Sequence, residues 1–341
     1  MTTNAIQSSH IYSTYFAPRG RSRIYTLGMQ IAQLYLSPFD QIIGFIGEAG
    51  SGKSVLIKGM FPGIELTNDD DGVNVRPLPL LEQEYETGFF TPHTYHLDIR
   101  FETGFHQLSE LADAVRLAVR RGKRIIIEHF DLIYPLLGVN ANLLIGVGEQ
   151  IVITRPNLFG PLPQELCDIV YPSLAYRLMA HSAEDLCEYA MTQEQMLACS
   201  HGDIRHGFVL EFNEHQPDID IPTLEARVNE LIRQDLPIDY YDESHILLGG
   251  AQHYCTGPRT HVRSTGRIIG FRLLDHFIYD HFHKTYMLVG CVGDDSEENI
   301  RKLETIHGLG VGLCSAPAYL VVGADAHIGP LGSYECAEDF R

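Results

Sequence analysis

The chain has 341 residues, with 25 Lys/Arg against 44 Asp/Glu and a net charge of −19. This balance disfavours a nonspecific grip on nucleic-acid phosphates. Apolar residues make up 45% and charged residues 20%, an ordinary globular composition for a length that suggests two domains, and no apolar run approaches the ~18 residues of a membrane-spanning helix. Met1–His10 is polar and lacks the apolar stretch of a secretory leader. The seven cysteines are scattered, so a reduced, cytoplasmic protein with no membrane association is expected. Residues 1–165 hold 13 Lys/Arg and 17 Asp/Glu, whereas 166–341 hold 12 and 27. The halves therefore read as different modules.

Residues 1–21 read as a poorly ordered N-terminal tail. Leu27, Ile31, Leu34 and Tyr35 recur at helical spacing until Ser37-Pro38 stops the helix. Gln41–Ile46 is an apolar strand that runs into a glycine-rich turn and a second helix. Asn68–Gly72 is an acidic turn, and Thr94–Ile99 is another strand. Leu108, Leu111, Ala112, Val115, Ala118 and Val119 form one apolar helix face. That helix ends at Arg120-Arg121-Gly122, where cations and glycine suit a C-terminus. The cluster Arg120, Arg121, Lys123 and Arg124 reads as a solvated helix end, with RNA phosphate as the alternative partner. Arg124–Glu128 and Gln150–Thr154 are further strands. Alternating strands and helices predict a parallel, helix-covered sheet over 22–165.

Beyond about residue 165 the pattern becomes α+β. Ser182–Ala198 reads as a helix, Phe208–Phe212 as a strand and Thr223–Gln234 as a helix ending before Leu236-Pro237. Strands with Gly-rich turns follow. A tail over 285–341 reads as strand (Tyr286–Val292), helix (Ser296–Ile306) and two more strands to about Val322.

Gly47-Glu48-Ala49-Gly50-Ser51-Gly52-Lys53-Ser54 fits G-x-x-x-x-G-K-[ST] completely, with a strand before it and a helix after it. Such a loop turns backbone N–H groups and a helix N-terminus toward a phosphate. Lys53 is expected to reach the β- and γ-phosphates of ATP or GTP, and the Ser54 hydroxyl to coordinate Mg²⁺. The metal needs a carboxylate as well. Glu128, at the end of an apolar strand, is the expected one, and Asp131 the alternative. Asp98 ends the strand containing His96-Leu97-Asp98 and is placed to orient water or a hydroxyl nucleophile.

Thr26-Leu27-Gly28, Gly47–Ser54, Tyr95-His96-Leu97-Asp98-Ile99-Arg100 and Ile126-Ile127-Glu128, in this order and spacing, resemble the small bacterial ATPase of tRNA threonylcarbamoyladenosine modification over about 22–155. The resemblance implies an α/β P-loop NTPase domain in which Lys53 and Ser54 bind phosphate and Mg²⁺, Glu128 holds the metal and Asp98 is catalytic. His129-Phe130-Asp131 departs from the aromatic-proline sequence of that family, and the Asn68–Gly72 turn is a second departure.

In the second half, Thr260-His261-Val262-Arg263-Ser264-Thr265-Gly266-Arg267-Ile268, continued by Phe271-Arg272-Leu273, resembles a different signature. It is similar to the second additional domain of alanyl- and threonyl-tRNA synthetases and of free-standing alanyl-tRNA editing proteins. Val228-Asn229-Glu230, Asp235-Leu236-Pro237, Phe208–Phe212 and His181-Ser182-Ala183 with Leu186 extend the likeness over about 178–280, implying an α+β editing-like domain at 176–284. The family binds Zn²⁺ through two His four apart on one helix, a Cys and a further His. Here the resemblance implies His181 and His261 as ligands, with Asp185 in place of the second His and Cys255 two residues before the family position, which is Gly257. His253 stands in reserve. Both an intact zinc site and a decayed one are compatible with these residues. His201 and His206 are placed to face the same cleft, and His276, His281 and His283 form a further candidate cluster. A Cys255 nucleophile paired with His253 or His261 is a weaker reading.

Three functions follow as expectations. The first is an ATP-binding P-loop protein, a nucleoside-triphosphate hydrolase coupled to the editing-like domain, acting in tRNA quality control or modification or on an aminoacyl small molecule. The second is a small-molecule, nucleoside-like kinase with Asp98 as base and the second half as a substrate or regulatory module. The third is a non-catalytic ATP-dependent switch whose second half has lost its metal. The acidity of residues 166–341 favours a small substrate or a protein partner there over tRNA phosphate.

Overall fold

The computed structural model describes residues 12–67, 78–82, 93–213 and 215–308. The first half is a six-stranded sheet of order β1-β6-β5-β2-β4-β3, formed by β1 (Tyr12–Phe16), β2 (Ile42–Ile46), β3 (Thr94–Asp98), β4 (Arg124–Glu128), β5 (Leu143–Val147) and β6 (Gln150–Thr154). Strands β3, β4, β2 and β5 are parallel. Strand β6 joins β5 antiparallel, and β1 joins β6 antiparallel. The sheet is thus mixed rather than wholly parallel. The tail expected over 1–21 is corrected in part, because Tyr12–Phe16 pairs with β6 residue for residue.

Alternation within buried strands builds a three-layer α/β/α unit. Ile125 and Ile127 face one core with Leu111 and Val115 of α3 (Leu108–Arg120) and Phe130 and Ile133 of α4 (Phe130–Leu137). Ile126, with Ile43 and Phe45, faces the other, against Ile31 of α1 (Arg21–Tyr35) and Leu56 of α2 (Lys53–Met60). Leu27, Ile31 and Tyr35 are buried as the helical spacing requires, whereas Leu34 is exposed.

The helix α5 (Pro163–Ala190) has 28 residues and is ~42 Å long. It straddles the boundary that the sequence placed near residues 165–176. Leu166, Cys167 and Val170 pack on the first sheet, while Met179, Ala183, Leu186 and Cys187 enter the core of the second half. The helix expected at Ser182–Ala198 is therefore the end of α5 plus a separate capped turn, α6 (Gln193–Ala198). Thr192 ends the break by accepting a hydrogen bond from the Gln195 N–H.

The second half contains an antiparallel sheet of β7 (Cys199–Ile204), β8 (Gly207–Asn213), β12 (Arg272–Leu273), β13 (Ile278–Asp280) and β14 (Thr285–Cys291). It also contains a three-stranded sheet of β9 (Ile238–Asp242), β10 (His245–Leu248) and β11 (Ala251–Tyr254). Helix α7 (Ile221–Arg233) buries Leu224 and Val228. The Thr-Gly pair of the signature anchors the loop to its end. Thr265 Oγ donates to the Leu231 carbonyl and accepts from the Leu236 N–H, and the Gly266 N–H donates to Asp235. Strand β14 and α8 (Ser296–Gly308) match the expected start of the C-terminal extension. The two strands expected to about Val322, and the acidic turn Asn68–Gly72, lie outside the described residues.

Arg19 ties the two halves together. Its guanidinium forms a two-pronged pair with Glu184 at 3.1 and 3.2 Å and donates to the carbonyls of Gly202 and Gly207. Both side chains are buried. Arg19→Met is expected to destabilise the protein by about 3 kcal/mol, because it removes the donor to the buried Glu184 carboxyl, whose pKa burial already raises to about 7, and to the Gly202 and Gly207 carbonyls. Denaturant unfolding checks this. The double variant with Glu184→Gln should recover part of the loss.

Candidate functional site

Strand register assembles the first site. Glu128 pairs with Phe45, two residues before the Gly47 turn, and with Asp98 on its other side. Three strand ends thus meet beneath Gly47–Ser54, where Gly50 and Gly52 take left-handed backbone conformations (φ 80° and 86°) that a side chain would strain. Lys53 Nζ donates to the Glu48 carbonyl at 2.9 Å and lies 3.7 Å from Glu128 Oε2. The Ser54 hydroxyl donates to Glu128 Oε1 at 3.2 Å. The Thr67 N–H donates to His96 Nδ1 at 3.1 Å, which fixes the proton on Nε2, and Nε2 donates to Glu128 Oε1 at 3.2 Å. Burial raises the Glu128 pKa, but the His96 hydrogen bond and the charge of Lys53 outweigh it and hold the pKa at about 2. Glu128 is therefore an ionised carboxylate touching Ser54.

Asp131, the alternative, lies in the first turn of α4 and receives the Tyr171 hydroxyl at 3.4 Å; burial raises its pKa. Asp98 lines the cavity and also caps the turn Ile99–Glu102, accepting from the Phe101 N–H at 3.1 Å. His129 has a left-handed backbone (φ 56°). Burial and then Lys53 lower its pKa to about 4, leaving a neutral imidazole beside Asp98 and Glu128.

The cavity above these groups measures about 390 Å³ and is lined from both halves. Lys53, Ser54, Asp98 and Glu128 form one wall, and Tyr240, Arg259 and Thr260 another. The Arg259 guanidinium lies 4.3 Å from the centroid of the Tyr240 ring. Arg177 enters from α5. It donates to the Ser51 carbonyl at 2.6 Å and the Pro18 carbonyl at 2.6 Å, and burial lowers its pKa to about 10. Sequence reasoning missed Arg177 and Arg259. The available signals were a lone arginine one turn before His181 and a cation between Cys255 and His261.

The second site lies on the continuation of α5. Residues 181–188 are buried on every side, so each polar group there needs a partner. His181 Nδ1 lies 2.9 Å from the Thr260 carbonyl and His261 Nδ1 lies 3.3 Å from that of Pro258. Donation of both Nδ1 protons leaves both Nε2 lone pairs facing inward. There, Cys255 Sγ is 3.4 Å from His181 Nε2 and 3.7 Å from His261 Nε2. Asp185 Oδ2 is 2.9 Å from His261 Nε2, and Asp185 Oδ1 is 3.9 Å from His181 Nε2. A tetrahedral zinc with N, O and S ligands spaces its donors about 3.3–3.6 Å apart, so the four residues fit that ion. The Gly257 N–H donates to Cys255 Sγ at 3.3 Å, a hydrogen bond suited to a thiolate.

The electrostatics agree with this fit. Burial keeps His181 neutral, and the two neighbouring imidazoles outweigh burial to hold Asp185 ionised. Burial and then Asp185 push the Cys255 thiol far up, so without a cation it is a poor nucleophile, and the Cys/His catalytic reading loses its basis. A bound cation would invert that preference. Position 257, where the sequence resemblance places a family cysteine, has no room for a side chain. A Cβ there would stand 2.3 Å from the Arg19 carbonyl and 2.9 Å from the His181 ring, so only glycine fits; the loop delivers the thiol from 255.

The remaining histidines separate. His201 pairs with Glu188, toward this cluster. His206 turns away, pairing with Asp295 at 2.9 Å and stacking on Tyr176. His276 pairs with Asp275 and His283 with Asp280, while His281 packs on Tyr279. The candidate cluster of these three does not form. In the basic cluster, Arg124 donates to the carbonyls of Asp40 and Ser37, while Arg120 and Arg121 are exposed.

Among the described residues no helix is long and apolar enough to cross a membrane. No family model matches the chain, and no curated protein does. A similar solved structure is an aminotransferase from Eubacterium rectale, 12% identical, covering 91% of this chain and 76% of that one, with a TM-score of 0.22. At that overlap the likeness carries no argument about fold or activity.

Proposed function

We propose that the protein is an ATP-binding P-loop nucleoside-triphosphate hydrolase whose second half is a zinc-dependent, aminoacyl-tRNA-editing-like module. Its substrate class is an aminoacyl ester or related bond, in tRNA quality control or modification. The observation that carries this reading is the segment Cys255–His261. Its ends, Cys255 and His261, belong to the donor cluster, while Gly257, Pro258, Arg259 and Thr260 line the cavity above Lys53 and Ser54. One loop serves both sites, so a ligand in one bears on the geometry of the other.

In the first site Lys53 and the Gly47–Ser54 N–H groups would hold the phosphates. Ser54 and Glu128 would hold Mg²⁺, and Asp98 would orient the attacking water. In the second, His181, Asp185, Cys255 and His261 would hold Zn²⁺, which when bound lowers the pKa of its water and polarises a carbonyl. The chain itself supplies the neutral imidazoles, the buried carboxylate and the exclusion of bulk solvent. The acidity of this half suits a small substrate or an aminoacyl terminus better than an extended phosphate backbone.

A small-molecule kinase is the second reading. It is favoured by Asp98, whose carboxylate on the cavity wall suits a base for a substrate hydroxyl. Phosphate released to water, undiminished by added nucleosides or other alcohols, supports the hydrolase; stoichiometric phosphoryl transfer to an alcohol supports the kinase. Glu128→Gln is expected to cut turnover ~100-fold or more while nucleotide affinity changes only a few-fold, since the lost charge acts mainly on the transition state. Asp98→Asn should behave likewise, because asparagine can still cap Phe101. Steady-state phosphate release with calorimetric binding checks both, and an unchanged kcat in either removes its assigned role.

A further inference from the structure

The same two elements that build the four-residue cluster also present a second set of donors. On α5, His181, Asp185 and Glu188 follow one another at i, i+4 and i+7, so they share one helix face. At the end of β11, His253 and Cys255 alternate, both buried. Asp185, Glu188 and His253 offer ligand atoms all within 4.8 Å of one another, and so do Glu188, Cys199 and His201.

His253 is the informative residue. It is 7% exposed, and its Nε2 is buried without a hydrogen-bond partner among the described residues. Its ring meets Tyr189 edge-on. The nearest acidic oxygen, Glu188 Oε2, is 3.9 Å away, beyond hydrogen-bond reach. A buried imidazole nitrogen left unmatched opposite two carboxylates costs free energy unless something sits between them. A cation is the complement of that arrangement.

We propose that Asp185, Glu188 and His253 bind a second divalent transition-metal ion, with Asp185 shared between this ion and the one in the His181–Cys255–His261 cluster and His201 holding Glu188 in place. The proposal rests on the zinc reading of that cluster only for the shared role of Asp185. One imidazole and two carboxylates, with a position left open, suit zinc among the common divalent ions, and the first site differs in carrying a thiolate. A carboxylate-bridged pair of ions is the arrangement that hydrolytic two-metal sites use.

The test uses the full chain purified without a histidine tag, equilibrated with zinc and freed of unbound metal, with metal measured by mass spectrometry. Two equivalents per chain are expected, falling to one in His253→Ala and in Glu188→Gln, with folding verified by circular dichroism. Cobalt substitution separates the sites. The thiolate charge-transfer band from Cys255 should persist in His253→Ala and vanish in Cys255→Ser. No bound metal in the wild type, a single equivalent that both His253→Ala and Glu188→Gln leave in place, or two equivalents retained in both variants overturns the proposal. Loss of one equivalent in His253→Ala, with no thiolate band in any protein, upholds the second site while removing the first.

Discussion

Lys53→Ala is expected to weaken nucleotide binding at least ~100-fold, and titration calorimetry with Mg-ATP and Mg-GTP checks it. The size follows from position. Lys53 is buried, its ammonium held by the Glu48 carbonyl and facing Glu128. A preorganised charge in a partly desolvated site is worth far more to a phosphate than the same charge in water. Removing it also leaves Glu128 with His96 and Ser54 alone. Unchanged affinity in a folded Lys53→Ala protein would overturn the assignment of Gly47–Ser54 as the phosphate site. Calorimetry with both nucleotides also resolves ATP from GTP, which the loop itself does not distinguish.

Zinc is expected to stabilise the second half by about 4 kcal/mol when its free concentration is a thousandfold above Kd. The donors already lie near tetrahedral spacing, so little ordering is left for the ion to impose. His261→Ala should lose most of that increment, because His261 contacts both Asp185 and Cys255. Thermal unfolding of the wild type and of His261→Ala, each with chelator and with buffered zinc, makes the measurement. An equal increment in the two proteins would show that zinc acts elsewhere. The comparison must hold free zinc fixed, since the increment scales with its logarithm.

The loop Cys255–His261 makes these two experiments dependent on each other. Its two ends belong to the donor cluster, and its middle lines the cavity above Lys53 and Ser54. If both ligands bind, the affinity of each should change with the other by the same factor, as linkage requires. Nucleotide titrations with and without zinc read that factor directly.

How much the residues alone disclose depends on the range of the interaction. The glycine-rich turn at Gly47–Ser54, the strand before it, the helix after it and the acid at the end of Ile125–Ile127 were legible, because backbone freedom at glycine and side-chain alternation are properties of a few neighbouring residues. The same holds for α1, α3 and α7, whose apolar spacing marks a buried face. Thr265-Gly266 was legible as part of a signature, but its action in fastening the loop to α7 was not. The amphipathic pattern failed where burial is complete. Residues 181–188 are enclosed on all sides, so periodicity could not show that α5 runs unbroken from Pro163 and belongs to two cores. Tyr12–Phe16 became an edge strand only because β6 offers it a free edge, a partner about 140 residues distant. The donor set was legible by type and order, but not by geometry. Cys255 meets His181 across 74 positions, and Arg19 crowds Gly257, only after the halves have packed. Arg177 and Arg259 likewise gain their place in the cavity beside Gly47–Ser54 from that packing alone. The sequence determined which chemical groups the protein has and the local turns that present them; the tertiary structure decided which of them meet, because burial and strand register act between residues far apart in the chain.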